Sequence, residues 1–175
     1  MTGLNNDVHI KCLYTPIKDQ IIQKLKIGER IELYGFILTG RDAALPRLVQ
    51  SINKGQNNID LKGSVIMHTA VSKAGISPTT SNKEDIEESI PFLAKSGVKI
   101  HLGKGALNES TVKFLDKYNS VFAVTPPAAA LLTSRVVSRK VIAFEEEGME
   151  AIHSLEVDGL PCIVAAAHSK TIFDI

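Results

Sequence analysis

Gly75-Ile-Ser-Pro-Thr-Thr-Ser-Asn-Lys-Glu84 carries an apolar strand into a run of hydroxyl, amide and charged side chains just ahead of a helix. Pro78 holds its own φ at about −65° and pushes Ser77 toward an extended conformation, so Thr79, Thr80 and Ser81 leave the strand on a stiffened turn. Ser81 and Glu84 have capping-box spacing. An N-cap at Ser81 directs the next backbone N–H groups, with the positive end of the helix dipole, at a carboxylate or phosphate. Lys83 and the hydroxyls converge on the same point as a grip for a small anion. The same string also serves as a plain, well-capped helix start.

Working outward, strand and helix patterns alternate through the middle of the chain. Upstream, Asp7 to Tyr14 reads as a strand and Thr15-Pro16 as the start of a short helix with Ile17, Ile21 and Leu25 on one face, closed by Gly28. Arg30 to Thr39 reads as a long strand with Gly35 at a bulge or close contact. Asp42 caps a helix to Ile52 with Pro46 in its first turn, and Ser64 to Val71 is a further strand. Downstream, Pro91 splits the helical pattern into Glu84–Ser89 and a second piece ending at Gly97. Val98 to Leu102 and Ser120 to Thr125 read as strands. Between them Asn108 caps a helix with Val112 and Leu115 inward. Pro127 to Ser134 is a small-residue helix, Val136 to Phe144 a strand, and Glu145 to Glu147 a solvated charge run. The end reads as three strands, Glu150–Val157, Pro161–Ala167 and Thr171–Ile175, with turns at Asp158-Gly159 and His168-Ser169-Lys170. Strands that alternate with helices in the middle and dominate both ends predict a single mixed α/β layered domain over residues 1–175.

Composition bounds the function. The 175 residues are 44% hydrophobic and 22% charged, with no Trp and 5% aromatics, which describes a globular chain with an aliphatic core. A net charge of +1 and the lack of an aromatic-rich strand argue against nucleic-acid binding. Residues 1–7 have neither a basic n-region nor an apolar h-region, and the longest apolar run is broken by Pro126-Pro127, so the expectation is a soluble, cytoplasmic protein without a membrane span. Cys12 and Cys162 fit two buried thiols in a reducing compartment. Two cysteines cannot ligate an iron–sulfur cluster, so any such cofactor must sit on another chain.

The polar residues that could do chemistry cluster where strands end. Arg41 carries a planar fork suited to a carboxylate, and Asp42 orients it or caps the helix. Gly103-Lys104-Gly105 fails the P-loop pattern, because no Ser or Thr follows the Lys, yet its backbone can approach an anion with the ammonium as charge partner. An ordinary turn with a solvated Lys fits equally. His9, His68, His101, His153 and His168 show no metal-ligand spacing and read as structural or solvated. No nucleophile elbow or Ser-His-Asp pattern is present. Cations and hydroxyls without a strong base make half of an active site.

Tyr34-Gly-Phe-Ile-Leu-Thr-Gly-Arg-Asp-Ala-Ala44, Pro78-Thr-Thr-Ser81, Gly103-Lys-Gly105 and Gly148-Met-Glu-Ala-Ile152, with Val157 and Pro161, resemble in order and spacing the β subunit of class I, iron–sulfur-dependent fumarate hydratase and of L-tartrate dehydratase. The resemblance implies an α/β fold of the swivelling β/β/α three-layer type with a mixed sheet. It implies a hetero-oligomer in which an α subunit holds a four-iron four-sulfur cluster and this chain holds none. It places Arg41, Thr80, Lys83 and Lys104 around the carboxylates of a small dicarboxylate and Thr79 at the proton-transfer position. Three positions depart from the family pattern: Leu45 for a usual His, Thr69-Ala70-Val71 for a usual Ala-Gly-Pro, and Lys83 for a usual Arg. Reversible hydration of fumarate to malate is the expected reaction. Tartrate dehydration and a non-catalytic carboxylate- or partner-binding module are the alternatives.

Overall fold

The computed structural model describes residues 9–79 and 83–174, the side chains of Lys83 and Asp85 excepted. In chain order the first elements are β1 (Ile10–Tyr14), α1 (Asp19–Lys24), β2 (Arg30–Gly40), α2 (Ala44–Asn53), β3 (Val65–His68), β4 (Val71–Ser72) and β5 (Gly75–Ile76). There follow α3 (Lys83–Lys95), β6 (Ile100–Gly103), α4 (Glu109–Lys117), β7 (Val121–Val124) and α5 (Ala129–Ser134). The chain ends through β8 (Val136–Ala143), a 3₁₀ turn over Glu145–Glu150, β9 (Ile152–Ala167) and β10 (Lys170–Thr171). No helix among the described residues is long and apolar enough to cross a membrane.

Strands β1, β2, β3, β6 and β7 lie side by side and parallel, and β9 runs antiparallel to both β2 and β7. Because β9 bonds both β2 and β7, the large mixed sheet closes on itself. Alternation along the strands then sorts side chains by face. Val65, Met67, Ile100, Leu102, Val121 and Ala123 point into one core with Ile31, Leu33 and Leu155. Their neighbours Ile66 and Phe122 point the other way, under α2, α3 and α4. Each fully buried large side chain contributes about 1.5–3 kcal/mol relative to exposure.

Several expectations are corrected here. Pro91 lies inside one continuous helix, α3, rather than starting a second one. A mid-helix proline costs about 3 kcal/mol, whereas burying Ile86, Ile90 and Leu93 on the same helix returns more than that. The strand expected over Ser64–Val71 breaks after His68, and Val71-Ser72 turns back to pair with Gly75-Ile76 as a small hairpin. The expected turn at Asp158-Gly159 is a bulge within one long strand: Leu33 pairs with Leu160 and Tyr34 with Asp158, leaving Gly159 extra at φ +72°. Pro161 sits between the stretches of β9 that pair with β8 and with β7, where a ladder donor is dispensable.

Near the start, α1 is shorter than expected and Ile21 is exposed, while Ile17, Ile22 and Leu25 are buried. Gly28 lies beyond the helix and donates its N–H to the Val164 carbonyl. Cys12 is exposed, not buried. At the other end, only Lys170-Thr171 form a strand. The charge run is only partly solvated, since Glu146 and Glu147 both pair with Arg47. Gly35 does sit at a close contact: its φ is +95°, and a Cβ there would lie 2.5 Å from Thr15 Oγ1.

Candidate active site at the carboxyl edge of the sheet

Strands β2, β3, β6 and β7 are neighbours in that order, with Gly40 beside His68, Met67 beside Leu102 and Gly103 beside Val124. The residues that leave these strands, Arg41, Thr69, Lys104 and Thr125, therefore emerge along a single edge at strand spacing, the place where open α/β sheets bind ligands. The sequence places each residue at a strand end. Adjacency follows from the parallel pairing.

Thr79 returns to this edge through a set of fastenings. Thr69 N–H donates to the Gly40 carbonyl at 3.1 Å, its hydroxyl donates to the Ser77 carbonyl at 2.6 Å, and Ser77 N–H donates to Ala70 at 2.9 Å. Thr69 and Ala70, just past the end of β3, thus tie the Ser77–Thr79 segment to the end of β2. Thr79 is 8% exposed. It lines a cavity of about 240 Å³ together with Lys104, Thr125, Pro126, Pro127 and Leu132. Thr79 and Lys104 share this cavity, and none of its lining residues among those described is a carboxylate, which suits an anion with a polar group beside it.

Arg41 is on the same edge but does not line that cavity. Its Nε and Nη2 donate to Glu150 Oε1 at 2.8 and 2.5 Å, and Glu150 Oε2 accepts the Ala43 N–H at 3.1 Å. Ala43, not Asp42, is the N-cap of α2. One carboxylate therefore fixes the guanidinium and satisfies an orphan donor of the helix start, a favourable place for negative charge. At α4 the same device recurs. Asn108 occupies the expected N-cap position, yet the cap bonds come from Glu87 of α3, which accepts from Asn108 N–H and from the Thr111 hydroxyl.

Of the remaining candidates, Thr80 and the proposed N-cap Ser81 lie outside the described residues. Lys83 opens α3, and its side chain also lies outside them. Glu150 and Thr69 join the site unassigned by the sequence, and a buried histidine pair lies on β3 and β6. Glu150 sits 109 residues from Arg41, and its membership of the Gly148–Ile152 motif was the available signal. Thr69, read as a departure, is the fastening of the Thr79 segment. His68 and His101 are both fully buried, one from β3 and one from β6, with His68 Nε2 and His101 Nδ1 3.3 Å apart. Burial holds His68 down to about 4 and, with the neighbouring imidazole, His101 well below the ordinary value, so both rings are neutral at pH 7. Their outer nitrogens, His68 Nδ1 and His101 Nε2, have no hydrogen-bond partner among the described residues.

Among the described residues no group of three or more His, Cys, Asp or Glu can hold a metal ion. The two cysteines do not fit a cluster. Cys162, paired with Ile31, faces the core, where burial pushes its thiol up, whereas exposed Cys12 aligns with Glu32 on the opposite face.

The fumarase C-terminus family pattern matches residues 3–173. The chain is 31% identical over 160 residues to the L(+)-tartrate dehydratase subunit beta of Escherichia coli, covering 86% of this chain and 73% of that protein. It is 31% identical over 169 residues to a Methanocaldococcus jannaschii protein provisionally named L(+)-tartrate dehydratase subunit beta, covering 87% and 86%. A Geobacillus stearothermophilus protein provisionally named fumarate hydratase class I is 27% identical over 134 residues, covering 70% of this chain and 25% of that longer protein.

Proposed function

The chain belongs to the fumarase C-terminus family, and from that membership we propose that residues 1–175 act as the β subunit of a hydro-lyase that adds water to, or removes it from, a small dicarboxylate. The observation that carries this reading is the meeting of Thr79 and Lys104 in one cavity at the sheet edge from which Arg41 also emerges. In the proposed site Lys104, Arg41, Thr80 and Lys83 hold the substrate carboxylates. Lysine is a point charge, so Lys83 attracts without the bidentate geometry of an arginine. Thr79 hands on the proton at the carbon that loses or gains it. Burial by itself opposes an alkoxide at Thr79, so the Lys104 ammonium on the same cavity supplies the opposing charge and a basic partner from the other subunit completes the step.

The cluster that the resemblance implies belongs to an α subunit, where its open iron would act as the Lewis acid toward the substrate hydroxyl. The three-layer β/β/α arrangement, its swivelling closure on that subunit, a hetero-oligomeric assembly and a cytoplasmic location are parts of the same proposal. Fumarate/malate is the substrate pair first proposed. Tartrate is the second, favoured by the relatives named for it, which match more of this chain.

Anaerobic co-expression with the α subunit, followed by assays on fumarate and on L(+)-tartrate, tests the proposal. Turnover of either by the assembled pair is expected. An assembled pair, cluster present, that turns over neither makes the chain a non-catalytic carboxylate-binding module.

A further inference from the structure

Strand β8 pairs on one side with β9, and no other strand among the described residues borders its second edge. Beside β8 a groove runs between the β4–β5 hairpin and the face that β8 shares with Leu155 and His153 of β9. Two adjoining hollows of about 240 and 480 Å³ share Val71, Lys73 and Arg139 and are lined in succession by residues 136–141.

The walls carry one sign of charge. Lys73 projects from the hairpin and Arg139 and Lys140 from β8. None of the ion pairs among the described residues includes any of the three. The carboxylate nearest in register, Glu156, is hydrogen-bonded to the Ser138 hydroxyl. Arg139 donates to the Ser72 carbonyl across the groove and is thereby held in place rather than left to swing in solvent. Val137, Val141 and Met149 add apolar surface at 64%, 37% and 50% exposure. A lysine on an edge strand commonly serves only to prevent aggregation. A fixed arginine, a second wall with its own cation and two exposed valines among the lining residues go beyond that service.

We propose that the free edge of β8 and the basic groove beside it receive an extended acidic segment of the α subunit, which adds to the sheet as a strand. Backbone bonding to the edge supplies affinity, while Lys73, Arg139 and Lys140 select carboxylates and the valines take alternate apolar side chains. The groove reaches Gly148 and Met149, directly before the Glu150 that holds Arg41. Docking there would couple subunit assembly to the placement of the Arg41 guanidinium. This inference rests on the subunit reading above.

The test uses the full chain co-expressed with a tagged α subunit. Two variants are compared with the wild type: Arg139→Glu with Lys140→Glu on β8, and Lys73→Glu on the hairpin. All three positions are on the surface, and an unchanged thermal midpoint of each isolated variant verifies its fold. The expected result is at least tenfold weaker association for the double variant, a smaller loss for Lys73→Glu, and wild-type affinity that falls with added salt. Hydrogen exchange should show the amides of 136–143 protected in the wild-type complex only. If the wild type binds α and the variants bind equally well with those amides unprotected, the groove is not the docking site and the subunit reading stands. If the wild type does not bind α at all, the subunit reading itself fails and takes this inference with it.

Discussion

At Thr79 the proposed chemistry turns on a single hydroxyl, and that role makes a kinetic prediction. A group that moves a proton acts mainly on the transition state, so Thr79→Ala in the assembled enzyme should lower kcat by tenfold or more with little change in KM. Near-normal kcat would reduce the hydroxyl to a wall of the cavity. In the proposed site Glu150 acts one step removed, through Arg41, which it hydrogen-bonds. Glu150→Gln keeps the shape but removes the charge from a partly exposed pair, so it should cost only about 1 kcal/mol of stability while raising KM severalfold as the guanidinium loses its setting. A larger fall in kcat than rise in KM would contradict the positioning role.

The neutral pair His68–His101 makes acid a third probe. Its folded-state value lies below the unfolded one, so below pH 6.5 the unfolded chain binds protons that the native state refuses, and stability falls with pH down to about 4. For His68 alone the loss is on the order of 3 kcal/mol by that point. Urea unfolding at pH 7 and pH 5 should reveal it. The double substitution His68→Gln with His101→Gln should remove the larger part of the difference.

Among the elements, β2 binds the molecule together, since it borders β1 and β3 on one side and β9 along its whole length on the other. Its weak point is Gly35, where the chain passes against Thr15 at a φ that side chains rarely adopt. Gly35→Ala should destabilise the fold by about 1–3 kcal/mol, seen as a lower denaturant midpoint with an unchanged slope. An unaltered midpoint would show that Thr15 yields freely. The helices illustrate a different dependence. Both α2 and α4 begin on a carboxylate from a distant element, Glu150 and Glu87, so neither start is autonomous. In α3 the apolar stripe of Ile86, Ile90 and Leu93 carries the helix across Pro91, because packing outweighs a local propensity.

For the whole molecule, the sheet closed by β9 encloses a complete apolar core within one chain, whereas the proposed site does not close within it. The isolated chain should therefore unfold cooperatively yet show no hydratase or tartrate dehydratase turnover, and should gain activity only with the α subunit. Turnover by the chain purified alone would overturn the division of labour. Helix α5 lines both hollows, contributing Leu132 to the cavity beside Thr79 and Thr133 to the groove beside β8. A partner spanning that helix would touch both.

The amino-acid sequence by itself determined the alternation of strands and helices, the close approach at Gly35, the chemical types gathered at strand ends and the family pattern that orders them. These are properties of short windows: a period of two or of 3.6, a residue without a Cβ, a cation beside two glycines. What spans the chain was decided only in three dimensions. The pairing of Arg41 with Glu150, the buried contact of His68 with His101, the continuity of β9 through Asp158-Gly159 and the persistence of α3 through Pro91 all depend on which surfaces meet. The physical reason is that β9 bonds β2 and β7 together, and that closure brings distant groups within hydrogen-bonding range and buries the stripes that overrule local breakers.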